Sequence, residues 1–328
     1  MKKTRWGILG TGSIATKFAL GLGEADNAEL LAVGSRSSET ATAFAAEHGA
    51  AHAHSSYDEL AKDPDVDAIY IATPHVLHRE NALACIGAGK AVLCEKPFAM
   101  NAREGEEMVA AAQSAGTFLC EAMWTRFLPG TRRVRELVSS GAIGEPRQLQ
   151  CDFGFRTDLD PNGRLFDLSL GGGALLDVGI YCVAYAQMIF GCSPAEIHSS
   201  AHIGETGVDE QSAYLFRYES GALACLSSAT RTETAHRAII SGTEGMIEIP
   251  DFWHVQDLIV NGERELHPYR GNGYTHEAIA VGEALAAGAT ECAEVPLQET
   301  LEIARTLDKI RGQWGLRYPA DEQMNRAR

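Results

Sequence analysis

The sequence predicts an α/β and α+β fold in two parts: a parallel sheet with crossover helices, then a mostly antiparallel sheet with helices. Up to about residue 120, short β-rich runs alternate with helical stretches, the pattern of βαβ units. From about residue 147, consecutive strand-like runs are joined by short glycine-containing turns, which favours antiparallel pairing. A chain of 328 residues, 45% of them hydrophobic, suits two domains. We place these domains at residues 1–122 and 123–328.

The first domain is predicted to hold five strands with helices between them. The strand-like runs are, in order, WGILG, LLAVGS, AIYIATP, AVLCEKP and TFLCEA. The helical stretches lie at residues 14–22, 39–48, 78–88 and 102–115. Strands joined in this way pair in parallel, and ligands bind beyond their carboxyl ends.

The second domain is predicted to consist mainly of strands. Its runs are RQLQCDFGF, EIHSSAHI, SAYLFRY, GALACLSSAT, HRAIISG and GMIEI. A helical stretch at residues 170–190 interrupts them, and helices at about 274–287 and 297–313 close the chain. Gly171 to Gly173 should let the start of the central helix approach another backbone or a ligand closely.

The charge balance indicates the class of partner. The net charge of −16 argues against nucleic acid or an anionic membrane surface, because both select for basic patches. A small-molecule ligand fits better. The N-terminal segment is unlike a signal peptide, and we expect no apolar run long enough to span a membrane, so the predicted location is cytoplasmic.

The cysteines and histidines show no metal-binding pattern in the sequence. The eight cysteines have neither CxxC spacing nor a histidine at zinc spacing, and we interpret them as reduced core residues. The pairs His52 with His54 and His75 with His78 have no evident carboxylate or cysteine nearby to complete a cluster. No metal is therefore predicted.

A glycine-rich loop follows the first strand. It reads Gly10-Thr11-Gly12-Ser13-Ile14-Ala15, a GxGxxA that opens the first helix. Glycine lets the backbone turn tightly and approach a pyrophosphate, whose charge the helix N-terminus stabilises. The loop therefore predicts a Rossmann dinucleotide-binding domain.

The end of the second strand indicates which dinucleotide binds. An NAD-preferring domain usually has an acidic residue here for the ribose 2′-hydroxyl, whereas this chain has Ser35-Arg36-Ser37-Ser38. An arginine with neighbouring hydroxyls suits a 2′-phosphate. NADP is therefore the predicted cofactor, with NAD as the alternative. The other interpretation of Arg36 is that it is a solvated loop residue without a ligand.

Six segments spread through nearly the whole chain are distinctive. They are GILGTGSIA, AIYIATPHVLHRE, VLCEKPFAMNAREGEEMVAAA, EAMWTRFLP, GGGALLDVGIY and PLQETLEIARTLDKIRGQWGLRYP. Together they resemble the glucose-fructose oxidoreductase and inositol dehydrogenase family, Gfo/Idh/MocA, with the EKP segment the most specific. EAMWTRFLP combined with LLDVGIY is most similar to its dimeric dihydrodiol dehydrogenase and NADP-dependent D-xylose dehydrogenase branch.

The resemblance implies a fold and several roles. It implies a C-terminal domain whose large open sheet commonly forms the oligomer interface, hence a homodimer or higher homo-oligomer. It also places Lys96 beside the nicotinamide and the substrate hydroxyl, and it implies that Pro97 is often preceded by a cis bond. Many members carry Asp-x-x-x-His in the central helix, whereas this chain has Asp177 and, four residues on, Tyr181. The tyrosine agrees with the dihydrodiol and xylose dehydrogenase branch.

The proposed chemistry needs a group that takes the hydroxyl proton as hydride leaves the carbinol carbon. Tyr181 can do so as a phenolate, a form that the ammonium of Lys96 would favour. On a helix, Asp177 and Tyr181 share a face, so the carboxylate can orient groups at the same cleft. The predicted catalytic residues are these three.

Further residues are predicted at the cofactor and the substrate. Glu95 is expected to hold Lys96 or contact the ribose. His78 should begin the next helix on the cofactor side, and its side chain is expected to reach substrate or to cap that helix. The other cofactor-side residues are Thr73, Pro74, His75 and Pro97. The substrate-pocket residues are Trp124, Arg126, Phe155 and Trp253, with core packing the alternative for the aromatic ones.

The predicted function is NADP-dependent hydride transfer at a hydroxyl or carbonyl carbon of a small sugar, polyol or cyclic diol. This corresponds to an aldose 1-dehydrogenase or a dihydrodiol dehydrogenase. Reduction of a keto-sugar such as an anhydrofructose uses the same residues in the other direction. A non-catalytic NADP-sensing regulator is the alternative from another class.

Overall fold

The structure, a computed structural model, describes residues 3–323. Those residues form two compact units. The first unit comprises the chain up to Ala99, then Arg103–Phe127 and Tyr269–Thr300; the second comprises Met100–Ala102, Leu128–Pro268 and the chain from Leu301.

The first unit contains a six-stranded, entirely parallel sheet in the order β3-β2-β1-β4-β5-β6. Its strands are β1 (Thr4–Leu9), β2 (Ala28–Gly34), β3 (His52–His54), β4 (Ala68–Ile71), β5 (Ala91–Glu95) and β6 (Leu119–Ala122). Every residue of β4 and β5 is buried, as expected for strands covered on both faces. The predicted parallel sheet is confirmed.

Helices connect these strands. They are α1 (Ser13–Gly23), α2 (Ser38–His48), α3 (Tyr57–Ala61), α4 (His78–Gly87) and α5 (Ala102–Ala115). Phe18 of α1 stacks on Tyr70 of β4 with ring centroids 3.7 Å apart, which anchors the first helix on the sheet. The short elements β3 and α3 were not predicted, because three and five residues are too few to show a period.

The second unit contains an eight-stranded sheet in the order β14-β13-β12-β11-β7-β10-β9-β8. Its strands are β7 (Pro146–Gly154), β8 (Glu196–Ile203), β9 (Asp209–Arg217), β10 (Leu223–Ala229), β11 (Ala238–Gly242), β12 (Met246–Ile249), β13 (Asp257–Val260) and β14 (Glu263–Leu266). Neighbours pair antiparallel except β7 with β10, which are parallel. The mostly antiparallel sheet is confirmed.

The hairpin of β13 and β14 was not predicted, although the sequence carries its signal. Asn261 and Gly262 form a two-residue turn and both have positive φ, at 52° and 88°. Asn-Gly between two strands is the strongest local indication of such a hairpin.

The second unit also contains helices, of which α6 and α10 were not predicted. They are α6 (Pro129–Ser139), α7 (Ile180–Phe190), α9 (Leu297–Gln313) and α10 (Pro319–Gln323). The first four residues of α9 fall in the first unit. A buried run precedes α7: a π-helical turn, Leu175–Gly179, leads directly into it.

The stretch Leu168–Phe190 corrects one sequence expectation. It has 23 residues and, by length and composition alone, is long and apolar enough to cross a membrane. In the structure it is mostly buried, and the core helix of a globular protein passes the same test. The statement that no run reaches this length was therefore wrong.

Helix α8 (Tyr274–Ala286) belongs to the first unit, although the predicted boundary at residue 122 groups it with the second domain. A Cβ added to Gly21 of α1 would lie 3.0 Å from Tyr274, and Asn27 donates a hydrogen bond of 2.9 Å to the carbonyl of Ile279. The chain thus returns to the first unit, which no local pattern indicates.

The cysteines are free thiols, and two of them differ from the expected core position. Cys192 follows α7 and is exposed, and Cys225 is exposed on β10, where alternate side chains face outward. The other six are buried, as predicted.

Candidate active site

The glycine loop lies between β1 and α1 and has the backbone that a phosphate site needs. Gly10 has φ of 110°, and a Cβ there would lie 3.0 Å from the carbonyl oxygen of Ala72, so a larger residue would be strained. Gly12 is the N-cap of α1, and a Cβ there would meet nothing within 4 Å. No side chain caps this helix and its first turn has no acidic residue. The open helix N-terminus fits a pyrophosphate.

The remaining loop residues are open to a ligand as well. Thr11 and Ile14 are half-buried and Ser13 is exposed. The N–H groups of the first turn of α1 therefore lie at the carboxyl end of β1.

The end of β2 presents Ser35 and Arg36. Ser35 is buried; its Oγ lies 2.6 Å from Oγ1 of Thr40, and its N–H donates to the carbonyl of His54 at 3.2 Å. Arg36 is exposed, so its guanidinium is accessible to an anion. Ser37, considered as a neighbouring hydroxyl, is the N-cap of α2 and accepts from the N–H of Thr40 at 3.4 Å.

The end of β4 carries the next predicted residues. Thr73 is buried, and its hydroxyl accepts a hydrogen bond of 3.0 Å from the amide of Asn81. Pro74 is exposed and His75 is half-buried at the start of a short 3₁₀ turn. Thr73 and Asn81 thus hold the segment at this strand end.

His78 is buried and joins two strand ends. Its Nε2 lies 2.9 Å from the carbonyl oxygen of Thr73 and its Nδ1 lies 2.9 Å from that of Pro97. Burial lowers the pKa of His78 to about 4, so the ring is neutral at pH 7 and donates through one nitrogen. His78 is the first residue of α4, as predicted, but its side chain does not cap the helix, because the N-cap is Leu77 and no side-chain cap hydrogen bond is made. Its contact with a cofactor stays a prediction.

The segment after β5 contains Glu95, Lys96 and Pro97. Glu95 is buried and accepts a hydrogen bond of 3.0 Å from the backbone N–H of Lys96, while the hydroxyl of Tyr70 donates to its other oxygen. The Lys96-Pro97 peptide bond is cis. Glu95 therefore holds the Lys96 main chain, which was one of its two predicted roles.

Glu121 and Glu277 are buried carboxyl groups of the first unit that sequence reasoning missed. Glu121, at the end of β6, accepts from the N–H of Phe98 and the hydroxyl of Thr300, both at 3.1 Å, and burial raises its pKa to about 7. Burial also raises the pKa of Glu277 in α8 well above its usual value. A glutamate that ends a buried strand was a usable sequence signal for Glu121, whereas Glu277 had none.

In the second unit, Asp177 lies in the π-helical turn and Tyr181 in the first turn of α7. Both are buried. The carboxylate of Asp177 accepts a hydrogen bond of 2.8 Å from Nη1 of Arg164, a residue that sequence reasoning missed. π-Helical turns recur at functional sites because they re-aim side chains.

The glycines before this turn do allow close approach. A Cβ on Gly172 would lie 2.8 Å from the backbone of Leu165, and one on Gly173, where φ is 124°, would lie 2.2 Å from the carboxylate of Asp209. The predicted close backbone contact is confirmed.

Tyr181 lies beside an aromatic group that includes Phe153 and Trp253. The ring of Phe153 lies 5.4 Å from that of Tyr181 and 4.6 Å from that of Trp253. Trp253 also packs on His254 at 3.6 Å. The structure therefore brings Tyr181 and Trp253 to the same ring, while Phe155, two residues beyond Phe153, is half-buried at the end of β7.

Trp124 and Arg126 lie in the first unit and are buried. Trp124 stacks on Tyr274 with centroids 4.8 Å apart and planes at 18°. Arg126 makes an ion pair of 2.7 Å with Glu299. Trp124 packs in the core, which was the alternative interpretation for the aromatic residues. Substrate contact by Trp124 or Arg126 stays a prediction.

The histidine pairs correct a further expectation. Asp63 contacts both His52, at 2.7 Å, and His54, at 2.8 Å, so a carboxylate does complete that pair. The sequence interpretation missed this carboxylate because helix α3 lies between His54 and Asp63 in the chain. The fold returns the chain after α3 to a position beside the two histidines.

Two family models match the chain. One, described as the GFO/IDH/MocA oxidoreductase family with an NAD-binding Rossmann fold, matches residues 4–122. The other, described as the GFO/IDH/MocA C-terminal domain, matches residues 131–248. The predicted fold class and family are confirmed.

Proteins named trans-1,2-dihydrobenzene-1,2-diol dehydrogenase are similar over nearly their full length. The one from Mus musculus is 40% identical over 332 residues, which cover 97% of this chain and 99% of that protein. The one from Homo sapiens is 37% identical over 333 residues, with the same 97% and 99% covered.

Solved structures show the same architecture. The aldose-aldose oxidoreductase from Caulobacter crescentus is 27% identical with a TM-score of 0.87, covering 95% of this chain and 97% of that one. A 3-ketoreductase from Actinomadura kijaniata, solved with NADP and TDP-benzene, is 25% identical with a TM-score of 0.83, covering 95% and 98%. With the open phosphate loop and the Glu95-Lys96-Pro97 strand end, these matches show that the chain belongs to the Gfo/Idh/MocA family of NAD(P)-dependent oxidoreductases.

Proposed function

We propose that this protein is an NADP-dependent dehydrogenase that oxidises a carbinol of a cyclic vicinal diol, with small sugars and polyols as further substrates. The single observation that carries the proposal is the held strand end, where Glu95 binds the Lys96 N–H and His78 lies against Pro97. The names of the relatives at up to 40% identity support the diol within this class.

The cofactor would be held at the carboxyl ends of the strands of the parallel sheet. The N–H groups at the start of α1 suit its pyrophosphate, and the exposed guanidinium of Arg36 suits a 2′-phosphate. NADP in the A. kijaniata 3-ketoreductase supports this preference. When bound, the nicotinamide supplies the acceptor for hydride.

Lys96 and Tyr181 would handle the proton. A tyrosine oxygen takes the hydroxyl proton of the carbinol, and an ammonium favours the anion that accepts it. The hydrogen bond from the Lys96 N–H to Glu95 holds the main chain from which the amine projects. In the reverse direction the same hydroxyl returns the proton to a carbonyl oxygen, so reduction of a keto-sugar uses the same residues.

Asp177 would act as a positioning residue for substrate hydroxyls. Its carboxylate is buried and accepts a hydrogen bond of 2.8 Å from Nη1 of Arg164, and its oxygens are acceptors for hydroxyl groups. Two adjacent hydroxyls on one ring offer the donors that such a carboxylate binds. The aromatic group beside Tyr181 suits the apolar ring edge of a cyclic diol.

The open face of the eight-stranded sheet would form a homo-oligomer interface. Leu215, Leu223 and Cys225 lie on neighbouring strands, point to one face and are exposed. Apolar side chains grouped on an exposed sheet face favour burial against a second copy. Oligomeric state and cytoplasmic location both stay predictions.

Turnover with a substrate panel tests the proposal. Purified protein is mixed with NADP⁺ or NAD⁺ and with trans-dihydrodiols, pentoses, hexoses and linear polyols, and reduced nicotinamide is followed by absorbance. We expect the highest kcat/KM with NADP⁺ and a cyclic diol. Turnover of no member, together with specific capture of a protein partner dependent on NADP, would instead favour the regulator.

A further inference from the structure

A cluster of three side chains lies at the edge strand of the first unit's sheet. His52 and His54 are two residues apart on β3, so both project from the same face of that strand. Nδ1 of His52 lies 2.7 Å from Oδ2 of Asp63, and Nε2 of His54 lies 2.8 Å from the same oxygen. The three ligand atoms lie within 4.8 Å of one another.

Asp63 is held so that one oxygen faces the two rings. Its side chain is only 3% exposed, and its other oxygen accepts a hydrogen bond of 2.9 Å from the N–H of Asp65. The carboxylate is therefore fixed through Oδ1, and Oδ2 is the oxygen that faces the two rings.

The histidine side of the cluster is open to solvent. The side chains of His52 and His54 are 37% and 22% exposed, so an ion can reach the ring nitrogens. Lys90, a nearby cation, donates to the main-chain carbonyls of Asp63 and Val66 and thereby fixes the loop that carries the carboxylate. A supported carboxylate with two accessible imidazoles is the arrangement of a metal site with an ordered outer shell.

We propose that His52, His54 and Asp63 bind a divalent metal ion of the zinc type. Two imidazole nitrogens and one carboxylate oxygen form a typical three-residue ligand set for zinc, and water completes the coordination. Binding replaces the two N–H···O hydrogen bonds: each neutral ring carries its proton on the other nitrogen, so that Nδ1 of His52 and Nε2 of His54 present lone pairs.

The rearrangement that this requires is small. Metal bonds of about 2.1 Å in tetrahedral geometry separate neighbouring ligand atoms by roughly 3.4 Å. The nitrogen-oxygen pairs are now 2.7 and 2.8 Å apart, so the rings and the carboxylate need to part by less than an ångström. The two ring nitrogens lie within 4.8 Å of each other and need to reach the same separation of roughly 3.4 Å. Rotation of the exposed histidine side chains supplies this movement.

A bound ion would tie the edge strand to the loop after α3. Strand β3 has three residues and pairs on one side with β2. The carbonyl of His54 accepts the N–H of Ser35, the residue before Arg36. The ion would thus stabilise the backbone next to the proposed 2′-phosphate site, and it would stabilise the folded state by mass action.

Metal titration of tag-free protein tests the site without any assay of turnover. Chelator-treated protein is titrated with Zn²⁺ by calorimetry, and Co²⁺ absorption reports the ligand geometry. We expect one equivalent of Zn²⁺ at this site and a thermal unfolding temperature that rises with Zn²⁺ concentration. His52→Ala and His54→Ala should each weaken binding about tenfold or more.

Controls keep the outcome interpretable. His198→Ala, an exposed histidine of the second unit, should bind Zn²⁺ as the unchanged protein does. Asp63→Asn keeps the shape of the buried side chain and should lose the ion while remaining folded by circular dichroism. Absence of stoichiometric binding, or equal binding by the His52→Ala/His54→Ala double variant, would overturn the site, whatever the dehydrogenase assay shows.

Discussion

The two units hold their candidate residues in different ways. In the first unit, positions are set largely through the main chain: His78 lies against two carbonyl groups, Glu95 binds the Lys96 N–H, and Gly10 packs on the backbone of Ala72. In the second unit, Tyr181 sits in an aromatic group and Asp177 in an ion pair with Arg164. Backbone-defined positions follow from short motifs, whereas packed side chains depend on distant segments.

The largest expected effect is on the reacting groups of both units. Lys96→Met and Tyr181→Phe should each lower kcat by about 10²–10⁴-fold. Tyr181 is the proposed proton acceptor, and the ammonium of Lys96 is proposed to stabilise the anion of that tyrosine. Steady-state kinetics with the best substrate of the panel measures this.

Matched controls are Lys62→Met, an exposed lysine paired with Asp58, and Tyr185→Phe, one helical turn beyond Tyr181. Both should keep kcat within a factor of about two. Full activity in Tyr181→Phe would remove the second unit from the proton transfer and leave Lys96 alone.

A smaller effect is expected at exposed Arg36, the proposed contact of the first unit with the 2′-phosphate. Arg36→Ala should weaken NADP binding roughly 10–100-fold while changing NAD binding little, since a charged hydrogen bond to the 2′-phosphate is lost. Dissociation constants from fluorescence titration with both cofactors measure it. Arg103→Ala, an exposed arginine of α5, is the control, and equal losses for NADP and NAD would contradict the assignment.

Glu121 in the first unit and Asp209 in the second should each make the free energy of unfolding depend on pH, in the same direction. Burial raises the pKa of Glu121 from 4.5 and that of Asp209 from 3.8, both to about 7. Between the ordinary value and 7 the folded state binds more protons than the unfolded state, so the free energy of unfolding falls as pH rises. Each pKa unit corresponds to about 1.4 kcal/mol, an upper guide for each group.

Glu121→Gln and Asp209→Asn should each flatten this fall, which urea unfolding at about pH 4.5 and about pH 7.5 measures. Exposed Glu29→Gln is the control. An unchanged slope in one variant alone would show that burial acts differently in the two units.

The smallest effect is expected at Arg164. Its side chain is 63% exposed, so solvent screens the ion pair with Asp177, and Arg164→Ala should cost no more than about 1 kcal/mol of unfolding free energy. We expect kcat/KM for a diol to fall a few-fold, with Arg164→Lys recovering part of it. A loss of several kcal/mol would show that Arg164 is structural and that the two units differ less than described.

Much of the first unit could be predicted because its signals are local. The alternation of β-rich and helical runs, the glycine loop and the Lys96-Pro97 strand end each lie within a few consecutive residues. Elements of three to five residues, such as β3 and α3, were missed because they are too short to show a repeating pattern. Glu277 was missed because only folding buries it, and Asp63 was missed because folding brings two histidines to it.

The sequence by itself determined most of the order of strands and helices, which follows from periodicity and from the φ angles that glycine and proline permit. It also determined the family, through the resemblance that segments such as Glu95-Lys96-Pro97 carry. Only the tertiary structure decided that α8 returns to the first unit, that Arg164 pairs with Asp177, and that Asp63 meets two histidines. Such contacts depend on which distant surfaces exclude water together, and no single stretch of the chain carries that information.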